Sequence, residues 1–258
     1  MYSKTLEEIL LIKKSAEILS KVHGEIAAHI QPGVTTQQLD KIAATCIADH
    51  KAKSSFKGYK RYPNTLCTSV NNQIVHGIPS KYTLKEGDTL SIDCGVCYKG
   101  YHSDAAFTYG VGNIEKKLLN LLIVTQKALY KGIEQAIVKN TIGHIGHAIY
   151  SYVTQHGYKV ITAYGGHGIG KKLHEEPHIP NFGKKGQGIH IKEGMVLAIE
   201  PIVSYQSPQI VHKLGTWPVY TKDHSPTAHF EHTIAITDGK PEILTTYEYI
   251  KEALQKYE

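Results

Sequence analysis

Four carboxylates in this chain stand where charged side chains are out of place. Asp93 closes the apolar run Leu90-Ser91-Ile92, and Asp104 follows eleven residues later among small and apolar neighbours. Glu200 ends Gly194-Met195-Val196-Leu197-Ala198-Ile199, directly before Pro201. Glu231 sits in Ala228-His229-Phe230-Glu231-His232-Thr233-Ile234, where strand alternation puts it on one face with His229 and Thr233. If the segments bearing Asp93 and Asp104 pair as a hairpin, both carboxylates project from one face. Two anions held together away from water are costly without a cation, and a divalent metal removes that cost. Taken singly, an Asp capping a solvated turn is the commoner case. Four such acids and one suitably placed imidazole form a ligand set.

The glycine-rich stretch from Ala163 to Pro177 supplies that imidazole, with His167 and His174 seven apart. Its composition suits a backbone that approaches a metal or substrate closely better than a packed helix or strand. Four carboxylates and a single imidazole, His167, make a hard, oxygen-rich site for two first-row divalent ions, suiting manganese, iron or cobalt at least as well as zinc. Two such ions sharing a bridging water lower its pKa from 15.7 to about 7, which gives a hydroxide nucleophile and hydrolysis with no covalent enzyme intermediate. His76 and His174, in loop-like settings, are left to hydrogen-bond a substrate amide or a developing oxyanion. His144 and His147, three apart on a helical stretch, read as surface or packed residues. Gly165 to Lys171 also satisfies the phosphate-loop spacing G-x-x-x-x-G-K, but Lys172 stands where a hydroxyl must meet magnesium, and Pro177 interrupts the helix that should follow.

To gather these residues the chain must fold back repeatedly. Leu6, Ile9, Leu10, Ala16, Leu19, Val22, Ile26 and Ile30 predict a helix ending before Pro32-Gly33, and Thr35-Thr36-Gln37-Gln38 offers a capping box for a second helix through about Lys51. Residues 58–63 read as loop, 65–70 as a strand turning at Asn71-Asn72, and 89–93 and 98–108 as strands with Gly95 and Gly100 near the reversal. Helices are predicted over 114–138 and 142–154, and a strand over 159–163. The last third reads as antiparallel strands at 195–199, near 210–211, at 217–220 and at 228–236. Two helices and then acid-bearing strands, twice over, is a loose internal echo. It predicts an α+β protein of two related halves around one site, with residues 1–258 as a single catalytic domain and no linker to split them.

With 258 residues, 41% hydrophobic and 20% charged, the chain has the composition of a soluble globular protein with a substantial core. No apolar run approaches bilayer-spanning length, and the first 24 residues carry acids and lysines through their apolar pattern, unlike a signal peptide; a cytoplasmic location is expected, with no membrane contact. The net charge of +6 is spread as short pairs such as Lys13-Lys14, Lys171-Lys172 and Lys184-Lys185, which suits a solvated basic surface, or weak attraction to an anionic one, better than a dedicated nucleic-acid groove. Cys46, Cys67, Cys94 and Cys97 are too few for a disulfide framework. Cys94-Gly95-Val96-Cys97 has redox spacing, but on a strand its side chains point to opposite faces, so reduced thiols are expected.

Asn72-Gln73-Ile74-Val75-His76-Gly77-Ile78-Pro79, Ser91-Ile92-Asp93, His102-Ser103-Asp104, Gly166-His167-Gly168-Ile169-Gly170 with His174-Glu175-Glu176-Pro177, residues 194–201, and Glu231-His232-Thr233 together resemble the type I methionine aminopeptidases. The resemblance runs in order through nearly the whole chain. It implies the pita-bread fold of the M24 metallopeptidases, two pseudo-symmetric halves enclosing two divalent ions (cobalt, manganese, iron or zinc), and release of N-terminal methionine from nascent chains and peptides with a small second residue. Matched motif by motif, Asp93 would chelate one ion, Asp104 and Glu231 would bridge both, and His167 and Glu200 would complete the other. Glu200 would also be the general base, His174 would steady the tetrahedral intermediate, and His76 would contact the scissile amide. The methionine pocket would fall on Tyr62, Cys67, Leu173 and Trp217, with Leu173 where the family often has an aromatic residue. Glu200 and Glu231 are only thirty-one positions apart, which leaves no room for the helical insertion of type II enzymes, so the short bacterial form, acting as a monomer, is expected. The basic balance is compatible with transient docking near a nascent-chain exit on the ribosome. Two other readings share this fold: an Xaa-Pro or creatinase-like hydrolase, a kind usually carrying a large N-terminal domain, and a binding protein that has lost its metals, against which the five ligand candidates argue.

Overall fold

The computed structural model describes residues 3–255. Thr5 opens α1 (Leu6–Ala27) with a capping box closed by Glu8, and Thr35 opens α2 (Thr36–Asp49) with the predicted box closed by Gln38. Ile9, Ile12, Ala16, Leu19, Val22 and Ile26 of α1 are buried, whereas Leu6 and Leu10, counted above in the apolar stripe, are exposed. The stripe that faces the protein runs through Ile12 instead, at the spacing that keeps one helical face inward.

β1 (Lys53–Ser54), one 3₁₀ turn at Tyr59–Arg61, β2 (Leu66–Val70) and β3 (Gln73–Val75) lead into a long hairpin of β4 (Thr89–Tyr98) and β5 (Tyr101–Gly110). The strand bearing Asp93 is thus twice the expected length, because Gly95 lies inside it and the reversal falls only at Lys99-Gly100. Gly95 is required by packing: a Cβ there would come within 2.8 Å of Ser55 Cβ and 2.9 Å of Phe56. Cys94 and Cys97, both on β4, are free thiols, as expected.

α3 (Lys116–Ile133) and α4 (Ile142–Gln155) follow. α3 stops short of the predicted end because Gln135 and Ala136 donate to Gly132 and Ile133, the tightened i→i+3 bonds that close a helix. His144 closes a capping box at the start of α4, taking the Thr141 amide on Nδ1, and is therefore a local structural residue.

The second half continues with β6 (Lys159–Val160), β7 (Gly165–Gly168), β8 (Glu175–Pro180), β9 (Val196–Ile199), β10 (Ile202–Ser204), β11 (Ile210–His212), β12 (Val219–Thr221), β13 (Thr227–His229), β14 (His232–Thr237), β15 (Lys240–Ile243) and α5 (Glu248–Gln255). The glycine-rich stretch, judged unsuited to a strand, forms two. At Gly166 a Cβ would sit 2.1 Å from Ala198 O, so the glycine is what lets β7 pack against its neighbour. β6 is shorter than expected, and the predicted strand over 228–236 breaks at Phe230-Glu231.

All pairings are antiparallel. β4 pairs with β5 along its whole length and with β2 and β1, while β15-β14-β9-β7-β8 form the largest sheet, beside the small sheets β13-β10-β6 and β11-β12-β3. α1 packs on β4, β5, α2 and α5, and α3 on α4 and β13. The result is an α+β architecture of two helix-backed halves, with the strands facing inward. No described helix is long and apolar enough to cross a membrane.

Candidate metal centre and substrate pocket

The β4–β5 hairpin sets the first two acids. Asp93 stands opposite Ala106 and Asp104 opposite Gly95, so the two carboxylates are diagonal neighbours on one face, as the alternation predicted. In the second half, His167 on β7 pairs with Ala198, and β9 ends one residue before Glu200. Glu231 falls in the break between β13 and β14, where His232 pairs with Ile199. Two adjacent strand ends and one strand therefore carry three residues that are distant in sequence to a common point.

Donor atoms of Asp104, His167 and Glu231 lie within 4.8 Å of one another, and all three residues are buried. His167 Nε2 is 3.9 Å from Asp104 Oδ2 and 3.8 Å from Glu200 Oε1, and His229 Nε2 is 3.5 Å from Glu200 Oε2. These separations exceed hydrogen-bond length and bring anions together without satisfying them. Asp93 Oδ1, Asp104 Oδ1, Glu231 Oε1 and His229 Nε2 are buried without a hydrogen-bond partner among the described residues. Burial lifts the Asp93 carboxyl to about 7. Burial, and then the Asp93 charge, pushes Asp104 well above the usual carboxylate range; burial and the Asp104 charge do the same to Glu231. His229 acts against burial at Asp93 without overcoming it, and divalent cations would compensate the cluster. His167 fits as a ligand: Nδ1 donates to Gly168 O at 2.9 Å, since a carbonyl can only accept, and Nε2 is left with its lone pair.

Beside the acids lies a cavity of about 310 Å³ whose wall includes all eleven residues singled out from the sequence: the five ligand candidates, His76, His174, Tyr62, Cys67, Leu173 and Trp217. The Tyr62 hydroxyl lies 2.9 Å from Leu66 O and 3.0 Å from Gly77 O, its single proton shared between them, and its ring meets Trp217 edge-on at 5.1 Å. Cys67 and Leu173 are buried apolar wall. His76, held in the left-handed region at φ 58°, has its ring edge-on to Tyr164 and Trp217, and burial lowers its pKa to about 4. His174 stands at the rim, its ring 4.2 Å from that of His167 and stacked on Tyr59, whose hydroxyl lies 3.0 Å from Nδ1. Partial burial and the neighbouring His167 both favour its neutral form.

The cavity also holds residues that the sequence did not single out. His229 was legible only as the strand neighbour of Glu231, and Phe56, Tyr59 and Lys60 only as part of an aromatic, lysine-containing loop. His144 and His147 do not line it, as expected.

Residues 11–238 match the profile of metallopeptidase family M24. Over 242 residues the chain is 46% identical to the methionine aminopeptidase of Clostridium perfringens, covering 94% of this chain and 97% of that one. The chain belongs to the methionine aminopeptidases of family M24. The crystal structure of the methionine aminopeptidase from Rickettsia prowazekii superposes with a TM-score of 0.93 at 36% identity, covering 95% of this chain and 99% of that one, and so carries the same pita-bread fold. The prolidase from Pyrococcus furiosus shares the fold at a TM-score of 0.77 and 24% identity, with 96% of this chain matching 66% of the prolidase. The family of metallopeptidases and the cluster of unpartnered carboxylates agree on divalent metal as the missing charge.

Proposed function

We infer that the protein is a metal-dependent aminopeptidase that hydrolyses N-terminal methionine from polypeptides with a small second residue. The observation that carries this is a cluster of buried, unpartnered acids around a histidine with a free Nε2, opening onto an apolar pocket, in a chain nearly half identical to a methionine aminopeptidase. Asp93, Asp104, His167, Glu200 and Glu231 would hold the divalent ions. When bound, such ions supply Lewis acidity and bring a water molecule to the acidity at which it loses a proton near neutral pH.

The remaining steps belong to side chains of this chain. The methionine side chain would enter between Tyr62, Cys67, Leu173 and Trp217, where an apolar wall discriminates by about 1–3 kcal/mol per methylene and must rely on shape throughout. Glu200, at the edge of the cavity, would take the proton from the attacking water. A neutral His174 whose Nδ1 accepts the Tyr59 hydroxyl presents Nε2–H as a donor to the developing oxyanion, and a neutral His76 can donate to or accept from the scissile amide without bringing a charge into the pocket.

We read residues 1–258 as one catalytic domain of the short form, working as a monomer in the cytoplasm on nascent-chain N-termini, with transient ribosome contact through its basic surface. Manganese, iron, cobalt and zinc all suit the donor set, and availability decides among them. The test is to strip the protein with chelator, restore manganese or cobalt, and compare Met-Ala-Ser with Leu-Ala-Ser and Met-Pro-containing peptides. Metal-dependent release of methionine, with Leu-Ala-Ser poorly cleaved, is expected; equal cleavage of the leucine peptide would falsify the reading.

A further inference from the structure

The strand that carries Asp104 and the segment that carries Glu231 meet along a seam that joins the two halves. Residues 104, 106 and 108 of β5 face residues 233, 231 and 229 in antiparallel order, yet among the described residues one direct main-chain bond crosses here, from Glu231 N to Ala106 O at 2.9 Å. Side-chain hydroxyls stand where the other ladder bonds would be. Thr233 Oγ1 accepts from Asp104 N at 2.9 Å and donates to Asp104 O at 2.7 Å. At the opposite end the relation is reversed: Thr108 Oγ1 accepts from His229 N and donates to His229 O, both at 2.8 Å, while Ser91 Oγ lies 2.8 Å from it.

In the middle sits Tyr247, from the turn before α5. Its hydroxyl accepts from Glu231 N at 3.1 Å, and its single proton faces both Ala106 O and Glu231 O at 2.8 Å. All three hydroxyls are buried, so no water competes for these bonds. A direct antiparallel ladder fixes neighbouring strands about 4.8 Å apart. An oxygen placed between amide and carbonyl holds them further apart, at a separation set by the hydroxyl bonds. The main chains of Asp104 and Glu231 are each held through both N–H and C=O by this arrangement, whereas their carboxylates carry unpartnered oxygens.

We propose that Thr233, Tyr247 and Thr108 are positioning residues: the Thr233 and Thr108 hydroxyls act as spacers at the two ends of the seam, the Tyr247 hydroxyl clamps the direct bond at Glu231, and together they set the placement of Asp104 relative to Glu231 and thereby the affinity for divalent ions. This rests on the reading of Asp104 and Glu231 as ligands. Thr233 and Tyr247 hold the ligand residues themselves, and Thr108 holds only His229, so its removal should weaken binding least.

The experiment is calorimetric titration of Mn²⁺ into metal-free wild type, Thr233→Val, Thr233→Ser, Tyr247→Phe and Thr108→Val, with thermal melts of the same metal-free samples. Thr125→Val is the control: that hydroxyl is equally buried and donates to Leu121 O at 2.8 Å within α3, away from the seam. Thr233→Val and Tyr247→Phe are expected to weaken Mn²⁺ binding about 10- to 100-fold, as loss of groups that orient metal ligands does, with Thr233→Ser near wild type. Thr125→Val should lower the melting temperature and leave Mn²⁺ affinity unchanged. Should Thr233→Val not fold, Tyr247→Phe decides, because it keeps the ring and its packing against Phe107 and Phe230. Variants that melt lower but bind Mn²⁺ as wild type does would overturn the proposal. Wild type that binds no Mn²⁺ would instead remove the ligand reading, and the seam's role with it.

Discussion

The acid cluster and the apolar wall of Tyr62, Cys67, Leu173 and Trp217 share one cavity and obey opposite rules. In the pocket wall, Cys67 and Leu173 are buried as apolar groups, and the one buried hydroxyl, that of Tyr62, reaches two carbonyls. Each group there is satisfied by the protein alone. In the cluster, buried oxygens of Asp93, Asp104 and Glu231 meet no donor among the described residues, and burial first, then neighbouring acids at Asp104 and Glu231, pushes these carboxyls toward the neutral form. Folding therefore gains from the pocket and loses at the cluster, and the loss is recovered only when cations arrive. A change in the pocket should harm stability and substrate affinity together. A change in the cluster should separate stability from activity.

The largest effect is expected at Glu200. Glu200→Gln keeps the shape of the side chain and removes the base, so turnover of Met-Ala-Ser should fall by at least ~10²-fold, with circular dichroism and the melt of the metal-free protein close to wild type. Turnover within a few-fold of wild type would remove Glu200 from the chemistry and leave the cluster as a purely structural cation site.

Asp93→Asn tests the cost of the cluster directly. A carboxyl raised from its ordinary value to about 7 holds its proton more tightly in the folded state than in the unfolded chain. Its favourable contribution is present at acid pH and is lost as pH rises from about 4 to about 7, for an upper limit of about 4 kcal/mol. The variant should therefore melt higher than wild type in chelator at pH 8, and this advantage should vanish near pH 4. Adding Mn²⁺ should reverse the order at pH 8, because only wild type keeps the proposed ligand. An Asn variant that melts lower than wild type in chelator at every pH would show that the protein does compensate this charge and that the contrast with the pocket is false.

Much of this contrast was legible in the sequence, and for a physical reason. An acid in an apolar run is a local anomaly, so Asp93, Asp104, Glu200 and Glu231 stood out without knowledge of the fold, and the caps at Thr35 and Gln38 announced their helix within four residues. Groups that matter only through distant partners did not stand out. Gly95 carries a turn signal in the sequence because its packing role depends on Ser55 and Phe56, and β7 carries no strand signal because its glycines serve the approach of Ala198. His229 became visible only beside Glu200, and the hydroxyls of Thr233 and Tyr247 only once β5 had been laid against β14.

On the pocket side, Leu173→Ala should cost about 2–5 kcal/mol in stability, as truncation of a buried leucine does, and lower kcat/KM for Met-Ala-Ser by roughly 10- to 200-fold per the worth of lost methylenes. The stability loss should persist with and without Mn²⁺, which distinguishes this site from Asp93. A Leu173→Ala protein that Mn²⁺ restores to wild-type stability would merge the two regions into one cooperative unit.

The smallest effect calibrates the others. Thr35 lies at the start of α2, accepts the Gln38 amide and takes the Gln38 side chain on its own amide, far from the cavity wall. Thr35→Ala should cost about 1 kcal/mol of stability, the usual worth of such a cap. Because α2 contributes no residue to the cavity, kcat/KM and Mn²⁺ affinity should stay at wild type, and the melting temperature should fall equally in chelator and in metal. That equality is what makes it a measure: only a group whose burial is uncompensated without cations changes the sign of its effect when they are added. If Thr35→Ala behaved as Asp93→Asn is expected to, the sign change would be a general property of metal loading rather than of the buried acids, and the distinction between the two walls of the cavity would lose its basis.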